Sequence, residues 1–303
     1  MGYEIKTLSK KDWPPLLSEI NDPPKQLYFT GQVPDYNRKF LCVVGARKYS
    51  QYGNDAVNTL LEGLSGFPVT IVSGLALGID SLAHKAAVKN KLPTIAVPGS
   101  GLSPRAIHPL SHAQLAEEIV DSGGTLLSEY DDNMKATLWS FPQRNRIMAG
   151  MCSATLIVEA ETKSGTLITA KLATGYNRDV LVVPGSIFSP NSDGPHLLLR
   201  LGATPIRNAE DILEALGIGK LDFLTMPTGS KKPTLLEDAH QGKYLGCGEK
   251  EIFIIKILET PRPRDEVIRE ASKSISVSEI QTTLTILEIK GLIEEKLGEI
   301  RLV

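Results

Sequence analysis

The sequence FPQRNRIMAGMCSATLIVEAETKSGTLITAKLA, at residues 141–173, contains a strand-like run between two polar segments. The central ATLIVEA, at 154–160, is apolar and rich in β-branched residues, which predicts a buried strand and is too short for a helix. The following KSGTLIT, at 163–169, predicts a small-residue turn into a new helix, whose first backbone N–H groups face outward without partners. Those groups and the hydroxyls of Thr166 and Thr169 are expected to bind a phosphate.

Two arginines precede this strand in the segment Arg144-Asn145-Arg146. Guanidinium groups bind phosphate in a two-pronged geometry. An arginine pair and a helix start at the same sheet edge therefore favour a polyanionic ligand.

The length of 303 residues, with 42% hydrophobic and 22% charged residues, is typical of a globular chain with one large core and a smaller domain. No apolar run approaches the roughly 18–20 residues that cross a bilayer, and the N-terminus lacks a signal-peptide pattern. We therefore expect a cytoplasmic protein without membrane contact. The net charge of −2 does not indicate nucleic-acid binding, so a polyanion site must be a local patch.

The cysteines give no framework for a disulfide or a metal. Cys42, Cys152 and Cys247 are odd in number, far apart and outside any CxxC pair. No bound metal or cofactor is predicted.

Short apolar runs alternate with helical segments from residue 40 onward. This alternation predicts an α/β fold: a Rossmann-like, mostly parallel sheet with helices on both faces and ligand loops at the carboxyl ends of its strands. The seven predicted strands lie at 41–45, 69–74, 93–99, 125–130, 154–160, 180–185 and 203–206.

The chain is expected to divide into four parts. Residues 1–36 are predicted to form an arm packed on the sheet. Residues 37–217 are predicted to form the Rossmann-like domain, which ends in a helix capped by Asn208. Residues 218–248 are rich in Gly, Pro, Thr and Lys and predict a linker. Residues 249–303 predict three helices and a hairpin, a winged-helix-like domain. Its nine Lys/Arg against eleven Asp/Glu favour protein contact or self-packing over DNA binding.

The loop after the first parallel strand, GARKYSQYG at 45–53, occupies the place of a dinucleotide phosphate loop without being GxGxxG. Arg47 stands where the fingerprint has its second glycine, so a charged side chain is presented instead of bare backbone. We predict that Arg47 contacts a phosphate of a polymer backbone and that no NAD binds. A solvated turn arginine is the alternative.

Two further glycine-rich turns follow the next strands, SGLALGIDSLAH at 73–84 and VPGSGL at 97–102. Asp80 is expected to cap the following helix, and at i,i+4 spacing it could hydrogen-bond His84, for which a structural role is favoured. One such turn is weak evidence. Several at successive strand ends predict a shared site for an anionic ligand.

Catalytic signatures are missing from the sequence. It contains no GxxxxGK[ST], HExxH or GxSxG motif, and no nucleophile can be nominated. Glu129, Glu159 and Glu161 are the carboxylates near the loops that could serve as a base. A carboxylate at a strand end, such as Glu159, frequently only accepts hydrogen bonds from neighbouring backbone.

The motifs GARKYSQYG, SGLALGIDSLAH, VPGSGL, SEY, FPQRNRIMAG and VEAETKSGTLITA, in this order, resemble the DprA/Smf family of DNA-processing proteins. The resemblance covers roughly residues 10–216. It implies a Rossmann-like domain that binds single-stranded DNA, forms homodimers and loads the RecA recombinase during natural transformation. It implies no enzymatic turnover.

The resemblance also implies a DNA pocket formed largely by Arg47 and the loop at 163–169, with Arg144–Arg146 either contacting DNA or holding the loops that do. The candidate DNA- or phosphate-binding residues are Gly45, Arg47, Ser50, Gly74, Gly78, Gly99, Arg144, Asn145, Arg146, Lys163, Ser164, Gly165, Thr166 and Thr169.

One segment departs from the family pattern. Where the family usually has Tyr-Pro, an Asn and a basic residue, this chain has HPLSHA at 108–113. A cationic contact is lost there unless Arg105 or a protonated histidine replaces it.

Two other functions fit parts of the sequence. Rossmann-like phosphoribohydrolases of nucleoside monophosphates have a PGGxGT loop and a glutamate, which KSGTLIT near Glu159 and Glu161 superficially resembles, although this chain has PGSGL. A nucleotide sensor that signals through the C-terminal domain is the other reading.

Overall fold

A computed structural model of the chain describes residues 4–218, 249–258, 262–272, 275–290, 292–296 and 299–302. It divides into two compact units, Met1–Met226 and Pro227–Val303. Within the described ranges, no helix combines the length and the apolarity that crossing a membrane requires.

The first unit is built on a nine-stranded sheet in the order β1-β2-β6-β5-β4-β3-β7-β8-β9. From β6 to β9 the neighbouring strands are parallel, whereas β2 runs antiparallel to both β1 and β6. The strands are β1 (Lys6–Leu8), β2 (Leu27–Gly31), β3 (Lys39–Val44), β4 (Val69–Ser73), β5 (Thr94–Ala96), β6 (Thr125–Ser128), β7 (Ala154–Ile157), β8 (Asp179–Val182) and β9 (Thr204–Pro205).

The parallel part confirms the predicted α/β fold, since each of the seven apolar runs forms one of the strands β3 to β9. The N-terminal arm, in contrast, joins the sheet instead of only packing on it. Its segment LYFTG forms β2 and pairs with β6, with Phe29 opposite Leu127. Five residues between proline-containing loops carry too little periodicity to predict this antiparallel edge.

Helices cover both faces of the sheet, as predicted. One core contains residues of α1, α2 and α7, and the other contains residues of α4 and α5 with Trp13, Leu17 and Ile20 from the N-terminal segment. The helices of the unit are α1 (Gln51–Gly63), α2 (Ile79–Lys89), α3 (Ala113–Asp121), α4 (Ser140–Met151), α5 (Thr166–Gly175), α6 (Asp193–Arg200) and α7 (Ala209–Ala215). The side chain of Asn208 caps α7 by accepting from the amide of Asp211 at 3.0 Å, as predicted.

The strand order reverses between β3 and β7. From β3 the chain builds outward through β4, β5 and β6, then returns to place β7 on the other side of β3. The loops after β3 and β7 therefore leave the sheet in opposite directions and open a crevice at its carboxyl edge, where open α/β sheets bind their ligands.

The second unit contains three helices, α8 (Glu249–Ile257), α9 (Arg264–Ala271) and α10 (Val277–Ile289). Its antiparallel sheet has the order β10-β12-β11, formed by β10 (Arg262–Pro263), β11 (Ile293–Lys296) and β12 (Glu299–Leu302). The predicted helices and hairpin are present, while the winged-helix assignment stays a prediction. Apart from residue 218, the predicted linker at 218–248 lies outside the described residues.

Candidate functional site

A cleft of about 620 Å³ lies at the carboxyl edge between β3 and β7, where the crevice is expected. The loops after these strands, the start of α2, the first turns of α5 and part of α4 form its walls. The predicted residues that line it are Gly45, Arg47, Arg144, Asn145, Lys163, Ser164, Gly165, Thr166 and Thr169.

Ser50 and Glu159 hold the loop after β3 in place. The Ser50 hydroxyl accepts from the Gly53 amide at 3.2 Å and so caps α1. Glu159, buried after β7, accepts from the Ser50 amide at 2.9 Å and from its hydroxyl at 2.5 Å, and from the side chain of Asn191 at 3.2 Å. Ser50 thus anchors the loop from outside the cleft. Glu159 accepts neighbouring backbone and side-chain donors, as expected for a strand-end carboxylate.

Arg47 is exposed at the mouth of the cleft. Its guanidinium lies over the ring of Phe141, 5.8 Å from the ring centroid, a contact that orients the side chain without consuming its N–H donors. Among the described residues, no carboxylate is within ion-pair distance of Arg47 or Lys163. Both cations therefore keep their charge and donors available to a ligand.

Gly78 allows the second loop to pack against the first. It has a φ of +91°, and a Cβ there would lie 2.2 Å from the Ala46 carbonyl oxygen and 2.6 Å from the Arg47 Cα. The next amide, of Ile79, donates to the Ala46 carbonyl at 3.1 Å. Gly78 thus shapes the backbone beneath Arg47 and does not line the cleft.

The loop after β7 joins the first loop through Thr166, whose hydroxyl donates to the Gly45 carbonyl at 3.1 Å. The predicted outward-facing amides at the start of α5 are largely used internally. The Thr166 amide donates to the Ser164 hydroxyl at 3.2 Å, and the amides of Leu167 and Ile168 donate to the carbonyls of Ser164 and Gly165 at 3.1 Å. This corrects the expectation of an open helix terminus, because the tight turn pairs its own donors.

The same loop still offers polar groups to the cleft. Lys163 and Gly165 are exposed, and within the described part of the chain their amides donate to no other group. Thr169 is buried in the wall one turn into α5. Lys163 and two free amides are thus the main donors on this side.

Arg144 lies in the floor of the cleft, only 5% exposed. Its guanidinium donates to the carbonyl of Gly74, after β4, at 2.5 Å and to that of Val97, after β5. Burial lowers the pKa of this guanidinium, and the charge of Asp80 opposes that effect. A Cβ on Gly74 would lie 2.4 Å from the Arg144 Nη1, so only glycine admits the arginine here.

The remaining members of the Arg144–Arg146 segment also have internal partners. Asn145 lines the cleft and accepts from the Arg144 Nε at 3.1 Å. Arg146 is buried away from the cleft in an ion pair with Glu129, and its Nε lies 3.5 Å from Asp22. The contacts of both arginines brace the loops, and contact of this segment with DNA stays a prediction.

Asp80 and His84 have separate partners instead of one another. Asp80 accepts from the Gly74 amide at 3.1 Å and makes no capping bond at the start of α2. Burial raises its pKa, which the nearby Arg144 charge opposes. His84 is fully buried, contacts the Thr94 hydroxyl at 2.8 Å, and burial lowers its pKa to about 3. Both are buried structural residues; Asp80 lines the cleft, whereas His84 lies against β5, outside the cleft lining.

A side pocket of about 40 Å³ adjoins the cleft, lined by Gly74 and His108 among others, with Arg47 and Arg144 shared between the two. Gly99 lies behind it, where a Cβ would meet the Phe141 ring at 2.7 Å. The His108 ring is exposed, and its centroid lies 5.5 Å from the centroid of the Phe141 ring. The segment at 108–113, whose sequence departs from the expected pattern, therefore reaches the edge of the site.

Each carboxylate or thiol near the site that the structure describes is held by internal contacts, buried, or exposed to solvent. Of the three candidate bases, Glu159 and Glu129 are engaged by the contacts above, and Glu161 is exposed on the cleft wall. No group of three or more potential metal ligands occurs among the described residues. Cys42 and Cys152 are buried free thiols, and Cys247 lies outside the described ranges.

Sequence reasoning missed the apolar residues of the cleft, namely Leu77, Leu138, Phe141 and Ile168. Single apolar residues in loops give no periodic signal. Of these four, only Phe141 could have been predicted from the sequence, because it stands just before the basic Arg144–Arg146 segment.

The family model for DNA recombination-mediator protein A matches residues 4–217. The Smf protein of Escherichia coli is 35% identical over 285 residues, which cover 92% of this chain and 72% of the relative. The DprA of Bacillus subtilis is 39% identical over 216 residues, covering 71% of this chain and 72% of that protein.

Two solved structures are similar as well. The X-ray structure of DprA from Streptococcus pneumoniae has a TM-score of 0.65 at 37% identity and covers 70% of this chain and 74% of its own. DprA from Helicobacter pylori, solved to describe its single-stranded DNA binding mode, has a TM-score of 0.62 at 30% identity, covering 71% of this chain and 96% of its own.

Proposed function

The chain belongs to the family of DNA recombination-mediator protein A, with a role in DNA processing, and on this premise we propose that its cleft binds single-stranded DNA. One observation carries the proposal. Arg47 and Lys163, from the loops after β3 and β7, face the same cleft at the strand-order reversal, and neither has an internal ion-pair partner among the described residues.

A single strand suits this arrangement better than a duplex. Separate cations and free amides on different loops can follow the phosphates of a flexible strand, whereas a rigid duplex would need a wider continuous basic face. The net charge of −2 gives no overall attraction to DNA, so binding must depend on a local group of cations such as Arg47 and Lys163. Sequence preference is expected to be weak, because phosphate contacts carry no base information.

The test measures the affinity of a fluorescently labelled oligo-dT of about 20 nucleotides by anisotropy. Each of Arg47→Met and Lys163→Met should weaken binding about ten-fold and leave the unfolding free energy unchanged, because both side chains are exposed. Lys89→Met is the matched control: it removes the same charge at the far end of α2, away from the cleft. Unchanged affinity in both cleft variants, or equal losses in all three, would refute the assignment.

We further propose that the DNA-bound protein loads the RecA recombinase during natural transformation, and that it acts as a cytoplasmic homodimer whose two clefts form a longer track. Family membership supports these steps. Strand exchange by RecA on DNA coated with single-strand-binding protein should be accelerated by this protein and not by Arg47→Met. Sedimentation equilibrium tests the dimer.

The proposed role needs no chemical step. Glu159 is the nearest counterpart to a phosphoribohydrolase base. Both of its carboxylate oxygens accept hydrogen bonds, from Ser50 and from Asn191. Incubation with nucleoside monophosphates should release no free base in a chromatographic assay. If the purified protein released free base and the Glu161→Gln variant did not, the protein would be an enzyme instead.

A further inference from the structure

The loop after β4 contains a residue in a strained conformation. Leu75 has a φ of +57°, in the left-handed region that residues with a large side chain rarely adopt. Its side chain is fully buried in an apolar cluster that includes Leu115 of α3, and the next two residues of the chain line the cleft. Such a conformation persists only where the surroundings hold it. The contacts of Leu75 therefore bear on the shape of the site.

His112 contacts the strained residue directly. Its Nδ1 lies 2.8 Å from the Leu75 carbonyl oxygen, and because a carbonyl can only accept, the ring nitrogen donates. His112 stands at the N-cap position of α3, yet its side chain makes no capping hydrogen bond there. The half-buried ring is thus directed to the loop after β4 and not to its own helix.

The loop after β4 supports the loop that carries Arg47. Three residues after Leu75, Gly78 packs so closely that a Cβ on it would lie 2.6 Å from the Arg47 Cα. The amide of Ile79 then donates to the Ala46 carbonyl at 3.1 Å. A continuous series of backbone contacts therefore joins the Leu75 peptide to the backbone that presents Arg47.

We propose that His112 is a positioning residue of the binding site: by donating to the Leu75 carbonyl, it holds the loop on which the backbone of Arg47 rests. This inference rests on the proposed function and adds to it a residue outside the cleft lining. His112 acts through Arg47 and not by contact with DNA. Lys163 is carried by the loop after β7, so its contribution to binding should not depend on His112.

The experiment measures oligo-dT affinity by anisotropy in variants of His112. His112→Leu removes the donor, and it should weaken binding about three- to five-fold, less than Arg47→Met, because Arg47 is still present but is held less firmly. His112→Asn keeps an N–H donor at the position of Nδ1 and should retain most of the affinity. His112→Ala replaces the leucine variant if that protein does not fold.

A double-mutant cycle distinguishes positioning of Arg47 from a general loss of structure. In the Arg47→Met background, His112→Leu should cause no further loss of affinity, whereas in the Lys163→Met background it should cause its full loss of about three- to five-fold. Asn208→Ala is the control for stability. It removes the cap of α7 and should lower the urea midpoint without changing oligo-dT affinity.

The outcomes separate this inference from the proposed function. Wild-type affinity in His112→Leu, or equal losses in the leucine and asparagine variants, overturns the positioning role. The same further loss in both backgrounds also overturns it. Each of these results leaves the phosphate contacts in place. Oligo-dT binding that neither Arg47→Met nor Lys163→Met weakens refutes the proposed function itself, whatever the His112 variants show.

Discussion

Arg47 and Arg144 line the same cleft, yet their surroundings are opposite. Arg47 is exposed, lies over the face of the Phe141 ring and has no carboxylate in ion-pair distance among the described residues. Arg144 is buried, faces Asp80 and donates to carbonyls after two different strands. Arg47, at the mouth of the cleft, is available to a ligand, whereas Arg144, in the floor, holds the loops that form the site.

The difference teaches what a basic motif at a sheet edge can do. Loops that leave neighbouring parallel strands carry unpaired carbonyls, and a buried site must satisfy them. Arg144 does this for the loops after β4 and β5, and Glu159 accepts the amide of Ser50 in the loop after β3. The burial of each arginine, more than its position in a motif, separates a side chain that is free to meet a ligand from one that braces loops.

The largest expected effect follows removal of the floor arginine. Arg144→Met should lower the unfolding free energy by about 3–5 kcal/mol, because it leaves Asp80 buried without its counter-charge. Urea denaturation measures it. The double variant Asp80→Asn with Arg144→Met should recover part of the loss. If Arg144→Met left unfolding unchanged and abolished only DNA binding, the division of roles between the exposed Arg47 and the buried Arg144 would be wrong.

A second test uses two carboxylates that carry the same charge and differ in their contacts. Glu159→Ala should cost about 2 kcal/mol of stability, because it leaves the amide and hydroxyl of Ser50 unpaired. It should also weaken DNA binding, since the loop that carries Arg47 loosens.

Glu161→Ala is the control, because Glu161 is exposed on the cleft wall. It should leave stability unchanged and tighten DNA binding slightly by removing a negative charge. If both variants tightened binding equally, local charge alone would explain the site and the bracing by Glu159 would be irrelevant.

The smallest expected effect is a pH dependence of stability that comes from the buried His84. Burial lowers the pKa of His84 to about 3, against a reference of 6.5, so below pH 6.5 the unfolded state binds a proton that the folded state refuses. Stability from this residue is complete above 6.5 and is lost as the pH falls toward 3. One pH unit below the reference, the loss is about 1.4 kcal/mol.

His84→Gln should remove this part of the pH dependence in urea denaturation between pH 7.5 and about 5.5. Arg47→Met should retain it, since Arg47 is exposed at the mouth of the cleft, whereas the ring of His84 is buried against Thr94. An identical pH profile in wild type and His84→Gln would show that the residue does not titrate in this range.

The parallel sheet was predictable because each of its strands is a continuous apolar run, as in LCVVG and ATLIVEA. The position of the cleft followed from the strand-to-helix loops. The antiparallel strand β2 was not predictable, since its pairing with β6 depends on contacts distant in sequence. The partners of Arg144 and Arg146 were equally hidden, because the carbonyls of Gly74 and Val97 and the carboxylate of Glu129 approach only in the fold. The exposed apolar residues of the cleft, Leu77, Leu138 and Ile168, also come from separate segments without periodicity.

The salt dependence of oligo-dT affinity tests the central claim most directly. For a single strand, the logarithm of the affinity falls linearly as the logarithm of the salt concentration rises. Each phosphate neutralised by a protein cation makes this slope steeper by about 0.7. Combining Arg47→Met with Lys163→Met should therefore reduce the slope by about 1.4 relative to wild type. The Lys89→Met control should leave it unchanged. A double variant with the wild-type slope would contradict the assignment of the cleft as the DNA-binding site.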